Sequence, residues 1–253
     1  MMKPCILVPF YNHERTLRET VERLRKFRLP CLIVDDGSSP SCVVLLAAVE
    51  AEESTWLRVL RHKTNQGKGA AVVSGLEAAE AAGYTHALQI DADLQHDIRD
   101  LPALLAAAGR EPAALVIGTA AFDSSVPSVR RWARHLTHFW VRVHTLSSDI
   151  RDSMCGFRVY PVGATLAVCR AARVGRRMDF DIEIAVRMQW SGAPVVGIPT
   201  YVTYPIDGTS HFRVVRDNVL ISAMHTRLFF GMLRRLPQLI ARRAAGSRAG
   251  AAT

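Results

Sequence analysis

Residues 5–36 read CILVPFYNHERTLRETVERLRKFRLPCLIVDD. Two apolar runs, 5–9 and 31–34, flank a charged segment, 13–27, in which Leu17, Val21 and Leu24 recur at helical spacing. The stretch reads as a β-α-β unit, and the chain repeats its pattern: helix 42–53, strand 57–61, helix 69–82, strand 87–90, helix 101–108, strand 114–117. Strands alternating with helices predict an α/β fold, a Rossmann-like, mostly parallel sheet with helices on both faces. Ligands of such sheets bind beyond the carboxyl ends of the strands, so the chemistry should lie in the loops after Val8, Val34 and Ile90.

All three loops are polar. Pro9-Phe10-Tyr11-Asn12-His13-Glu14 offers an aromatic ring and polar groups that can hold a planar base and a ribose. Asp35-Asp36-Gly37-Ser38-Ser39 places carboxylates where they can accept hydrogen bonds from a base or a sugar hydroxyl. Asp91-Ala92-Asp93-Leu94-Gln95-His96 sets two carboxylates one residue apart, able to close on a divalent cation; hard oxygen ligands suit Mg2+ or Mn2+ bridging to substrate phosphates. Asn65-Gln66-Gly67-Lys68-Gly69 opens a helix with a lysine and exposed amides suited to phosphate, although neither P-loop nor G-x-G-x-x-G spacing is present. Alone, an Asp-x-Asp is more often a solvated turn and Asp-Asp-Gly-Ser a helix cap. Their joint placement at successive strand ends of one sheet carries the functional reading.

Composition bounds the setting. The 253 residues, 49% of them apolar, suffice for one catalytic domain with an appendage. A net charge of +9 draws the protein toward anionic surfaces or an anionic substrate. The five cysteines are scattered and lack C-x-x-C spacing, which argues against a disulfide framework or zinc site and for a reduced, cytoplasmic location. No signal peptide is expected, and charge interrupts every apolar run well before the about 18 residues of a membrane span. His62, His86 and His144 show no metal-ligand spacing and read as surface or core histidines, and Cys155 as a packing residue.

The motifs V-P-F-Y-N-x-E at 8–14, V-D-D-G-S at 34–38, N-x-G-K-G at 65–69 and D-A-D-L-Q-H at 91–96 resemble, in order and spacing, the family-2 glycosyltransferases. The resemblance continues through Asp152-Ser153-Met154-Cys155-Gly156-Phe157-Arg158 and Phe180-Asp181-Ile182-Glu183, and is similar to the dolichol-phosphate-mannose-synthase-like branch. It implies a GT-A domain over residues 3–210 and an inverting transfer of sugar from a UDP- or GDP-sugar donor. Pro9, Tyr11, Glu14 and Asp36 would bind the nucleoside, with Lys68, Asp91 and Ala92 beside it, and Asp91, Asp93 and Gln95 would organise the metal. For a hydroxyl acceptor, Asp181 is the first choice of general base and Asp152 the second. Arg131, Arg134, Arg158, Ser210, His211 and Arg213 would face the acceptor. The chain departs from the branch in two places: Gly118-Thr119 is followed by Ala120 in place of a G-S-R arginine, and 205–211 reads PIDGTSH where polyprenyl-phosphate enzymes tend to have R-x-x-G-x-S-K. A hydroxylated lipid or lipid-linked acceptor is therefore the leading expectation, with polyprenyl-phosphate glycosylation as its rival and a catalytically silent membrane scaffold as the rival of another class.

Residues 211–245 are expected to be basic amphipathic helices lying against an anionic membrane surface, with Ile221, Met224, Leu228, Met232 and Leu236 as the apolar stripe. Packing of that stripe on the catalytic core is the competing expectation. Pro237 should kink or end the helix, and 246–253 should form a disordered tail. A second basic and aromatic segment, 129–144, could line an acceptor entrance. No nucleic-acid reader motif accompanies either segment.

Overall fold

The computed structural model describes the backbone of residues 1–121, 128–203 and 213–250, with side chains for 1–120, 134–203, 213 and 215–244. Seven strands alternate with eight α-helices among these residues: β1 Pro4–Phe10, α1 Glu14–Arg25, β2 Cys31–Asp35, α2 Pro40–Glu52, β3 Leu57–Arg61, α3 Lys68–Ala81, β4 His86–Gln89, α4 Leu101–Arg110, β5 Leu115–Ala121, α5 Ser128–Thr145, β6 Arg158–Pro161, α6 Val162–Ala171, α7 Phe180–Ser191, β7 Val195–Tyr201 and α8 Val214–Gly250. The strand order is β3-β2-β1-β4-β6-β5-β7, with β6 antiparallel to both neighbours and every other pairing parallel. β1 and β2 are buried along both faces, which is why their sequences are unbroken apolar runs.

The first five strands and four helices fall where the periodicity put them. In α1, Leu17, Val21 and Leu24 turn inward as their spacing requires. α3 lies close against the sheet because Gly75 has no side chain: a Cβ there would overlap Leu7 Cδ1 and stand 3.1 Å from Val34 Cγ2. β6 was not legible, since Arg158-Val159-Tyr160-Pro161 is short and begins with a charge; its pairing with β4 runs Gln89↔Arg158 to His86↔Pro161.

Three expectations for the C-terminal region change. α8 runs as one helix of 37 residues through Pro237, with no second helix after it among the described residues. Proline removes one backbone donor, but the turns beyond it are held from outside: Leu239 is buried, and Arg242 Nη1 donates to Gln189 O and Trp190 O at 3.2 and 3.0 Å. The helix also takes in 246–250, the start of the segment expected to be disordered; residues 251–253 lie outside the described residues. The stripe expected to meet a membrane packs inward instead, with Met224, Leu228 and Met232 in the core. No helix among the described residues is long and apolar enough to cross a membrane.

Candidate active site

The β1–α1 and β2–α2 loops are stitched together. Asn12, at φ 52°, accepts from Ser39 N (2.8 Å) through Oδ1 and donates its own N–H to Ser38 Oγ (3.0 Å). Asparagine tolerates this left-handed conformation better than most residues. Glu14 Oε1 accepts from Ser41 Oγ, Cys42 Sγ (3.2 Å) and Ser39 Oγ (3.0 Å), and these hydrogen bonds hold its carboxyl below the usual range. Pro9 is buried at the strand end and Tyr11 half-buried beyond it. Three of the residues expected around a nucleoside, Pro9, Tyr11 and Glu14, thus share one rim of the sheet, while the fourth, Asp36, spends its carboxylate on the neighbouring loop. Its carboxylate accepts from Gln66 N (2.9 Å), Gly67 N (2.7 Å) and the His62 ring at 2.7 Å, so both oxygens are committed to shaping the β3–α3 loop. His62 continues to Ser74 Oγ at 2.9 Å, a structural link in keeping with its sequence reading.

That loop delivers Lys68 to the centre of the site. Its ammonium lies 2.8 Å from Asp91 Oδ2 and 2.9 Å from Asp181 Oδ2. Burial opposes its charge, but Asp181 and Asp91 outweigh burial and hold the amine well above its ordinary range. Asp91 is likewise penalised by burial, yet Lys68 and then His96 keep it below the usual carboxylate range. The approach is possible because residue 156 is glycine: a Cβ there would overlap Asp91 Oδ2 and stand 2.8 Å from Lys68 Nζ. Tyr160 OH donates to Gln89 Oε1 at 3.0 Å, and Gln89 Nε2 reaches toward Asp91 Oδ1 at 3.5 Å. Sequence reading missed this pair because one member sits on the unrecognised strand.

Asp93 follows on a tight turn in which Leu94 adopts φ 60° and Gln95 N donates to Asp93 Oδ1 at 3.0 Å. Burial, and then the charge of Asp91, push the Asp93 carboxyl up to about 6. Ala92 is buried, and its carbonyl accepts from Thr16 Oγ1 at 2.5 Å, which ties the turn to α1. Among the described residues no group of three or more histidines, cysteines or carboxylates is gathered for a metal. What is present is a pair of hard oxygen donors, with Asp91 Oδ1 and the Asp93 carboxylate outside the Lys68 pair. The three carboxylates of Asp91, Asp93 and Asp181 outnumber the two cations beside them, Lys68 and the buried Arg158, and this net negative cluster would repel a diphosphate unless a further cation joined it. The residues therefore fit a divalent ion whose other ligands come from substrate and water.

On the acceptor side, two expectations change. Arg158 is fully buried on β6, and its guanidinium donates to Cys155 O (2.6 Å), Asp181 O (2.6 Å) and Ser153 O (2.7 Å). All three groups on that fork are held by backbone, so it shapes the loop and cannot reach an acceptor. Asp152, the second choice of general base, is engaged as a loop cap: its oxygens accept from Met154 N (3.0 Å), Cys155 N (3.1 Å), Ala120 N (3.2 Å) and Arg134. Arg213 is exposed, and its backbone N–H donates to Asp217 Oδ2 at 2.7 Å. The Arg131 side chain, Ser210 and His211 lie outside the described residues.

A glycosyl transferase family 2 model matches residues 5–168, which hold the nucleotide-side loops, Lys68, Asp91, Asp93 and Gly156. The chain belongs to glycosyl transferase family 2. This family 2 glycosyltransferase is 26% identical over 224 residues to a dolichyl-phosphate beta-glucosyltransferase of Dictyostelium discoideum, covering 81% of this chain and 67% of the relative. It is 28% identical over 204 residues to an undecaprenyl-phosphate mannosyltransferase of Micrococcus luteus, covering 78% of this chain and 82% of the relative. Among solved structures, S. aureus TarS 1-349 in complex with UDP-GlcNAc superposes with a TM-score of 0.60 at 15% identity, over 92% of this chain and 72% of that one. At that identity the likeness concerns the GT-A-like fold alone.

Proposed function

We propose that this glycosyltransferase moves a sugar from a UDP- or GDP-sugar to a polyprenyl phosphate at the cytoplasmic face of a membrane, with inversion at the anomeric carbon. The observation that carries the reading is the Lys68 ammonium clamped between Asp91 and Asp181, with Asp93 one residue along the same turn. Relatives named for dolichyl and undecaprenyl phosphates support a phosphate acceptor over the hydroxylated lipid that the missing arginine motifs suggested.

A polyprenyl phosphate is already anionic near neutral pH, so its oxygen needs no proton removed before attack. It bonds to the anomeric carbon from the side opposite the diphosphate as the bond to the diphosphate breaks. Asp181 then has no proton to take; it holds Lys68 in place, while Lys68 faces the negative charge that builds on the leaving group. Asp91 and Asp93 are the residues that would hold Mg2+ or Mn2+, which when bound offsets the charge of the diphosphate. Pro9, Tyr11 and Glu14 border the position of the nucleoside, and residues 3–210 form the catalytic unit. The free cysteines, all five of them, suit a reducing compartment.

Purified protein is incubated with undecaprenyl phosphate in detergent and a panel of UDP- and GDP-sugars, and nucleoside diphosphate release and the lipid product are followed. Turnover with the phosphate and not with undecaprenol is expected. Release with only a hydroxylated lipid would overturn the acceptor assignment.

A further inference from the structure

α8 carries two apolar faces, and among the described residues only one has a partner. The inner face, with Met224 and Leu228 at 0%, Leu239 at 3% and Met232 at 5% exposure, packs on the catalytic domain. Half a turn around, Val215 (80%), Val219 (62%), Phe230 (58%), Ile240 (54%) and Leu233 (45%) stand in solvent. Ser222, Thr226 and Pro237 fill the remaining turns, so steps of three or four residues run from 215 to 240 without a charged side chain. An uncharged stripe along seven turns of helix, carrying five exposed apolar side chains, differs from the single exposed apolar residues found on any soluble surface. α5, which packs on α8 through Trp140 and His144 against His225, exposes Leu136 and Phe139 as well.

Charge identifies the occupant. Of the 37 residues of α8, seven are arginine and one, Asp217, is acidic. Asp217 is buried and caps the helix start, so it does not offset the arginines. Three of them work inward: Arg227 meets Glu183 at 2.9 Å, Arg235 stacks over the Trp190 ring at 4.8 Å, and Arg242 holds the end of α7. Arg216 and Arg234 are exposed beside Val215 and Leu233, on the edge of the stripe. Pairing this face with a second copy of the chain would bring cationic edges together.

We infer that the outer face of α8 docks on an anionic bilayer surface, with Val215, Val219, Phe230, Leu233 and Ile240 entering the interface and Arg216 and Arg234 meeting lipid phosphates. This deepens the lipid-acceptor reading and rests on it for its purpose, but not for its test. Apolar burial supplies the anchoring and the arginines a salt-sensitive share. The full chain is co-sedimented with donor-free vesicles of phosphatidylcholine, with and without phosphatidylglycerol and lacking any polyprenyl lipid.

Binding to the anionic vesicles alone is expected, weakened at least about tenfold by Phe230→Ser with Leu233→Ser, and roughly tenfold by Arg216→Gln with Arg234→Gln or by high salt. Because these side chains face solvent, the variants should keep the parent melting temperature and its turnover on detergent-dispersed acceptor. That turnover reports on the acceptor reading separately. No binding by the parent, or equal binding by the Phe230 and Leu233 variant, overturns the inference. So does a dimer in sedimentation equilibrium that the same substitutions dissolve while vesicles are ignored.

Discussion

Lys68 has two carboxylate partners, and Gly156 leaves the space in which it meets one of them, Asp91, so the site is sensitive at the level of single atoms. In Gly156→Ala the new methyl group overlaps Asp91 Oδ2, and either the Lys68–Asp91 pair opens or the loop moves. We expect a loss of about 1–3 kcal/mol in stability but a larger fall in kcat, about a hundredfold, read by thermal melts beside initial rates. A fall in stability with unchanged kcat would show that the pair is not part of the reaction. Asp93→Ala removes a carboxylate from a turn, not from the core, so the melting temperature should hold while turnover falls by about 10²–10³ and metal-dependent nucleoside diphosphate binding disappears in calorimetry. Asp181→Asn separates two roles. Loss of a general base costs about 10²–10⁴ in rate, whereas loosening one of two partners of Lys68 should cost about tenfold or less. The larger figure, with a hydroxyl acceptor, would restore Asp181 as the base.

At the scale of elements, Pro237 is the residue whose effect the sequence misjudged. An interior proline costs a helix about 3 kcal/mol, and from composition alone that reads as a break. Leu239 and Arg242 lie beyond it and bind the core and the end of α7, and such tertiary anchors have no local signature. Pro237→Ala should therefore raise stability by about 1–3 kcal/mol, seen as a higher melting temperature; no rise would mean that the turns after 237 are not coupled to the domain. The strands and helices up to β5 were legible because their apolar periods match burial on both sheet faces. β6 was not, since an antiparallel strand of four residues with a buried arginine shows no such period. The site was legible in part for the same reason. Asp91, Asp93 and Lys68 sit at ends of strands or helices the pattern located, while the surroundings of Arg158 and Asp152 are visible only in the folded loop, where backbone groups take the Arg158 fork and three backbone N–H groups and Arg134 take the Asp152 carboxylate. The spacing of Met224 and Met232 establishes an amphipathic helix without saying whether it faces core or membrane.

Across the whole molecule, α5, α7 and α8 enclose a neutral histidine that links the appended helix to the catalytic domain. His144 is fully buried, with Nε2 3.0 Å from His225 Nδ1 on α8, its backbone carbonyl accepting from Trp190 Nε1 on α7 at 2.9 Å, and Trp140 stacked on its ring. Burial, and then His225, push it down to about 4 from an ordinary value of 6.5, and burial lowers His225 as well. The unfolded chain binds a proton at His144 below about pH 6.5 while the native protein does not until about pH 4, so the stabilising difference is present above 6.5 and lost as pH falls between these values. For His144 alone the loss between pH 6.5 and pH 5 is about 2 kcal/mol, or roughly 4–8 °C in melting temperature for a chain of this size. His144→Gln cannot protonate but can still donate to the His225 ring, and it should flatten that part of the profile while leaving nucleotide binding at pH 7.5 as in the parent. Scanning calorimetry of both proteins from pH 7.5 to 5 decides the matter. An equal drop in the two would place the acid sensitivity elsewhere and leave the seam between α5 and α8 indifferent to pH.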